Sequence, residues 1–145
     1  MTCATLSNAL GGDLGRYERR GRRGLAVADH GRARAALPRT RTTALAQVVV
    51  ETYSVLTRLP PPQRVPAGVA RDYLGQVFVL PPLLLAPQSY KRLIDLAVDG
   101  GITGGAVYDA IVAATAREAG ATLLTLDRRA IPTYERIGVK YRLLE

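Results

Sequence analysis

The sequence has very little cysteine and no long apolar run. Cys3 is its single cysteine, which excludes an internal disulfide and favours a reducing compartment. The most apolar stretch, residues 77–86, is interrupted by Pro81 and Pro82, and a membrane span needs about 20 apolar residues. The first residues lack a basic cluster followed by an apolar run, which argues against a signal peptide. We therefore expect a cytoplasmic protein with no membrane partner.

Acidic residues are also scarce, and the excess of basic over acidic residues is uneven along the chain. The 145 residues carry 20 Lys+Arg against 12 Asp+Glu, a net charge of +8. Residues 1–43 hold nine Arg and three acids, whereas residues 44–145 hold eleven Lys+Arg and nine acids. A basic excess is compatible with a polyanionic partner such as nucleic acid. The length and the 48% hydrophobic content predict one globular domain over residues 1–145.

The pattern of apolar residues predicts an α/β fold beyond residue 43. Residues 1–43 are rich in Gly, Ala and Arg and show no strand pattern, so they form an atypical front. After them, three- and four-residue spacing indicates helices, and short β-branched or apolar runs indicate strands. The predicted elements are helices over 44–59, 66–74, 89–98, 106–119 and 131–137 and strands over 77–80, 122–126 and 139–144. Helices that alternate with short buried strands favour a mainly parallel sheet.

Three acids occupy positions that need an explanation. Glu51 lies at the edge of an apolar helix stripe, where a rim glutamate bonded to Arg58 or to water is the simplest interpretation. Asp109 lies in the first turn of its helix, where the helix dipole favours an acid. Asp127 directly follows a strand and could cap the next turn. Taken singly, each of these acids has an ordinary structural role.

Taken together, these acids suggest a metal site. Asp127 follows the carboxyl end of a strand, and the helix of Asp109 leads into that strand, so both should reach one edge of the sheet. Carboxylates that gather there repel each other unless a cation lies between them. Hard oxygen ligands favour Mg²⁺ or Mn²⁺, and such a centre supports hydrolysis of phosphodiesters.

Two segments carry a resemblance to a known family. Residues 51–65, ETYSVLTRLPPPQRV, and residues 104–139, which include YDA and LTLD, closely resemble the PIN-domain ribonucleases, specifically the VapC-type toxins of bacterial toxin–antitoxin modules. The similarity spans about residues 44–145. Three motifs carry the resemblance: the helical segment that starts at Glu51, the YDA stretch and the LTLD stretch. Their order along the chain, more than any one of them, makes the resemblance specific.

The resemblance implies a three-layer α/β/α fold around a short parallel sheet and an Mg²⁺- or Mn²⁺-dependent endoribonuclease. It also implies a cognate VapB-like antitoxin and a homodimer as partners. Glu51, Asp109 and Asp127 match the family's acidic positions, which hold the metal. Thr125 matches the family's hydroxyl residue, which bonds metal-bound water or phosphate.

The front of the chain departs from the family pattern. The family begins with a hydrophobic strand that ends in a metal-binding Asp, and residues 1–43 show no such strand. Asp13 lies at about the family's usual distance before Glu51 and is the candidate fourth ligand. Two alternatives therefore stay open: a catalytically impaired relative that still binds an antitoxin or RNA, and an α/β protein whose acids are only caps and rim pairs.

Overall fold

The fold is built on one parallel sheet. The computed structural model describes residues 2–5, 42–78 and 81–144. The strands are β1 (Thr2–Thr5), β2 (Thr42–Ala44), β3 (Thr122–Thr125) and β4 (Tyr141–Leu143). The helices are α1 (Ala46–Arg58), α2 (Ala67–Val77), α3 (Ser89–Asp99), α4 (Ala106–Glu118) and α5 (Ile131–Ile137). The four strands lie in the order β2-β1-β3-β4, and every neighbouring pair is parallel.

The position of β1 corrects the prediction that the front of the chain has no strand. Thr2 pairs with Thr42 of β2 on one side and with Thr122 of β3 on the other, so β1 lies inside the sheet. Its short sequence, TCAT, has no apolar alternation that could reveal a strand. The strand is stabilised by backbone pairing with β2 and β3 and not by a local apolar pattern, since strand formation depends strongly on context.

The start of α1 also differs from the expectation. The predicted helix began at residue 44, whereas Thr42, Thr43 and Ala44 form β2. Leu45 occupies the cap position with extended backbone and no side-chain cap. The buried stripe of α1 is as the spacing predicts: Val48, Thr52, Val55 and Leu56 are buried.

The predicted strand over residues 77–80 is wrong at its first half. Val77 is the last residue of α2, and Phe78 follows as its cap, with its N–H bonded to the Leu74 carbonyl. Residues 79–80 lie outside the described residues. The strand-like pairing occurs slightly later, where Leu83 donates its N–H to Ala44 (2.8 Å) and accepts from Ala46 (2.9 Å).

Strand β3 is covered on both faces. Leu123 and Leu124 are adjacent in the strand and both are buried. Because successive strand residues point to opposite faces, apolar material must cover each side of β3. The continuous apolar run therefore marks a buried strand, as the sequence predicts.

The main apolar core packs on one side of that strand, around α3, α4 and α5. It includes Leu93 of α3, Ala113 of α4, Leu123 of β3 and Tyr134 of α5, all almost fully buried. The small residues of α4 allow it to contact α1, α3, α5 and β3. This packing holds α4 against β3. In the described ranges, no helix is both long and apolar enough to span a membrane.

Candidate active site

The carboxyl edge of the sheet brings the ends of several elements together. All strands are parallel, so β2 and β3 end at the same edge. Helix α4 is joined to β3 by the short segment 119–121, so its amino end returns to that edge. Helix α1 follows β2 almost directly and packs against α4. The topology thus places the elements that carry Glu51, Asp109 and Asp127 at one edge.

Asp109 lies in the first turn of α4, as predicted. Its side chain is half-buried, and no side chain caps this helix end, which begins after Gly105. Gly104 precedes the helix with φ of 58°, a left-handed conformation that glycine adopts without steric cost. The dipole of α4 favours a negative charge at this position.

Glu51 lies in the second turn of α1 and is half-buried. Its neighbours show why it borders the core: Val48 and Thr52 are buried, whereas Val50 is exposed. The Thr52 hydroxyl donates to the Val48 carbonyl at 2.7 Å, so its polar atom is satisfied within the helix. The predicted placement at the edge of the stripe is therefore correct.

Thr125 and Asp127 build the turn after β3. Thr125 ends the strand, is buried, and accepts the Asp127 N–H on its hydroxyl oxygen at 3.0 Å. The Asp127 carboxylate in turn accepts the Arg129 N–H at 2.8 Å, which is an Asx turn. The turn role that sequence alone allowed for Asp127 is thus present, and only 9% of its side chain is exposed.

The donors at this edge match a hard divalent cation in kind. Three carboxylates and one hydroxyl offer only oxygen, which suits Mg²⁺ or Mn²⁺. Their spacing, in contrast, does not match a bound cation. Across 2–5, 42–78 and 81–144, no three Asp, Glu, His or Cys side chains gather closely enough to hold an ion. A bound cation would have to draw these carboxylates together.

Comparison with known proteins decides the family. The PIN domain family model matches residues 27–137, which is most of the chain. The chain belongs to the PIN domain family. Ribonuclease VapC40 of Mycobacterium tuberculosis is 48% identical over 100 residues, covering 69% of this chain and 75% of the relative. Ribonuclease VapC27 of the same organism is 48% identical over 91 residues, covering 63% and 66%.

A solved structure supports the PIN fold independently of sequence. The crystal structure of FitAcB from Neisseria gonorrhoeae superposes with a TM-score of 0.60 at 17% identity, covering 97% of this chain and 96% of that one. At this level of identity the likeness concerns the fold alone. It agrees with the α/β architecture expected from the sequence, and the resemblance to VapC-type PIN proteins is confirmed by the relatives.

One predicted ligand of this PIN domain cannot be placed. Asp13 lies outside the described residues, so its role as a fourth ligand stays a prediction. In the sequence, Thr5 at the end of β1 is followed by Leu6, Ser7 and Asn8, none of which is acidic. The family pattern of an acid directly after the first strand is therefore missing from this chain.

Sequence reasoning missed one residue at the site edge, Arg129. Its guanidinium contacts Asp127 through Nε at 3.3 Å and Nη2 at 3.4 Å. An available signal was the spacing Asp-x-Arg directly after a strand. An Asx turn at the Asp brings the residue two positions later back toward the carboxylate.

Proposed function

We propose that this PIN-domain protein is the toxin of a type II toxin–antitoxin system, a metal-dependent endoribonuclease that hydrolyses RNA phosphodiester bonds. The observation that carries the proposal is the 48% identity to ribonuclease VapC40 over 100 residues. The PIN family match over residues 27–137 includes the three acidic motifs in order. A cytoplasmic location and RNA as the substrate belong to the same proposal.

The proposed roles follow from the placement of each side chain. Glu51, Asp109 and Asp127 would hold Mg²⁺ or Mn²⁺, with Asp13 as a further candidate. When bound, the cation would supply an activated water and neutralise charge on the leaving oxygen. Thr125 fixes the backbone of Asp127 through the 3.0 Å bond to its N–H, and its contact with metal-bound water or phosphate stays a prediction.

The test replaces one carboxylate without changing its shape. We expect Asp109→Asn to reduce Mg²⁺-dependent RNA cleavage by more than about 100-fold, since even indirect partners of a metal ligand cost 10–100-fold. The matched control is Asp99→Asn, an exposed acid at the end of α3. The measurement is cleavage of a fluorescent structured RNA with Mg²⁺, with Mn²⁺ and with EDTA. Cleavage that persists in EDTA and in Asp109→Asn would refute the proposed function.

A second candidate function is favoured by two observations. No acid follows β1 closely in the sequence, and no three of the described acids lie close enough to hold a metal ion. A catalytically impaired PIN protein that still binds an antitoxin or RNA would have these properties. Growth arrest on expression, relieved by the cognate partner, excludes this candidate. Tight partner binding with no RNA cleavage supports it.

The partners form the last part of the proposal. A cognate VapB-like antitoxin would bind the toxin and cover the edge of the sheet whose elements carry Glu51, Asp109 and Asp127.

A homodimer is supported by an apolar stripe on α3, formed by Tyr90, Ile94 and Val98, which are 47%, 52% and 74% exposed. Exposed apolar groups in a row are typical of protein interfaces. The stripe is symmetric about Ile94, so two antiparallel copies could pack it against itself.

A further inference from the structure

Arg129 contacts the Asp127 carboxylate through both its backbone N–H and its guanidinium. The Arg129 backbone N–H donates to Oδ1 at 2.8 Å, which belongs to the Asx turn. The guanidinium adds two longer contacts, Nε to Oδ1 at 3.3 Å and Nη2 to Oδ2 at 3.4 Å. Both carboxylate oxygens therefore face the same arginine. A divalent cation would need at least one of these oxygens.

The two sides of this ion pair differ in their exposure. The Asp127 side chain is 9% exposed, whereas that of Arg129 is 72% exposed. A carboxylate that is largely removed from water needs a compensating positive charge. An exposed guanidinium supplies that charge but is held weakly, because solvent screens the pair. Arg129 can thus leave Asp127 at small cost when a stronger cation arrives.

Resting on the proposed function, we propose that Arg129 is a positioning residue that competes with the divalent cation for the Asp127 carboxylate. In the metal-free protein it keeps this carboxylate in its own turn. On metal binding the guanidinium leaves the carboxylate, while the backbone bond of the turn stays.

The test measures Mn²⁺ affinity of the full-length protein by electron paramagnetic resonance of free Mn²⁺, without RNA. Arg129→Ala removes both guanidinium contacts and keeps the backbone N–H bond. We expect it to lower the Mn²⁺ dissociation constant about two- to fivefold, as fits loss of a weak ion pair. The Mn²⁺ dissociation constant of Arg129→Lys should lie between those of the wild-type protein and Arg129→Ala, because lysine keeps the charge without the fork of donors.

Arg128→Ala is the matched control. It removes the same charge from the neighbouring exposed position, for which the described part of the chain shows no hydrogen bond or ion pair. Any general effect of net charge on Mn²⁺ affinity should therefore appear in both variants. Tighter binding in Arg129→Ala beyond that in Arg128→Ala is the expected result. A merely structural role for Arg129 would instead weaken Mn²⁺ binding in Arg129→Ala.

Two failures can be told apart. If the wild-type protein binds Mn²⁺ and Asp127→Asn weakens that binding, but Arg129→Ala equals Arg128→Ala, competition by Arg129 is refuted and the proposed function stands. If the wild-type protein binds no Mn²⁺, both proposals fail. Arg129→Gln gives the same comparison should Arg129→Ala not fold.

Discussion

At the scale of single residues, the clearest electrostatic feature outside the site is the pair of Tyr141 and Glu135. The Tyr141 hydroxyl donates to Glu135 Oε1 at 3.0 Å. This hydrogen bond raises the pKa of Tyr141 above its usual 10.0, and burial and the Glu135 charge add to the rise. Because the folded-state pKa is the higher one, the bond stabilises the protein fully below pH about 10 and is lost at higher pH.

We expect Glu135→Ala to lower the pKa of Tyr141 toward its usual value, because the acceptor and the negative charge are both removed. The measurement is an NMR titration of the tyrosine ring carbons between neutral and alkaline pH. Glu118→Gln, which removes a negative charge from an exposed residue of α4, should leave the Tyr141 titration unchanged. An unchanged titration in Glu135→Ala would contradict the assignment.

At the scale of elements, the end of α5 illustrates a turn that only glycine adopts easily. Gly138 has φ of 76° and ψ of 35°, and its N–H donates to the carbonyls of Tyr134 at 2.9 Å and Glu135 at 3.1 Å. This is a left-handed helix end, which directs the chain from α5 into β4.

We therefore expect Gly138→Ala to lower the free energy of unfolding by about 1–2 kcal/mol, the cost of left-handed backbone for a residue with a Cβ. Gly68→Ala is the matched control: Gly68 lies in α2, and its added Cβ would meet no atom within 4 Å. Because Gly68 lies in the first turn of α2, where alanine is at least as favourable as glycine, this control should not lower stability. Urea unfolding of both variants gives the comparison, and equal effects would refute the account.

Local patterns predict some elements well and others poorly. The segment from α4 through β3 to α5 agrees closely with the prediction because apolar spacing and the glycines Gly120 and Gly138 are all local signals. Strand β1 was missed because its stability comes from two pairings that no local window contains. The site shows the same division. Motif order indicates Asp109 and Asp127, whereas the Arg129 contact depends on the shape of one turn.

At the scale of the whole molecule, charge and chemistry are separated along the chain. The recognisable acids lie in residues 44–145, whose basic excess is small, and most of the net +8 lies in residues 1–43. RNA as a substrate is therefore inferred from the acids and the relatives and not from the net charge. That residues 1–145 form one domain stays a prediction.

The apolar stripe on α3 gives a prediction for the assembly. We expect Ile94→Glu to convert a homodimer into a monomer, because two buried glutamates at the centre of the stripe would repel each other and lose hydration. Light scattering coupled to size exclusion measures the mass. Val69→Glu, at an exposed apolar position of α2, should leave it unchanged. A monomeric wild-type protein would rule out this interface.

The place of β1 inside the sheet also constrains when the molecule can work. Thr2 pairs with Thr42 and Thr122, so most of the chain lies between β1 and its second partner. The ribosome makes β1 before either neighbour, and the centre of the sheet can close only after β3 has emerged. Pairings between such distant segments form slowly and late. A chain whose synthesis has not passed β3 therefore lacks the central pairing of the sheet and, with it, the completed edge at which Thr125 and Asp127 lie.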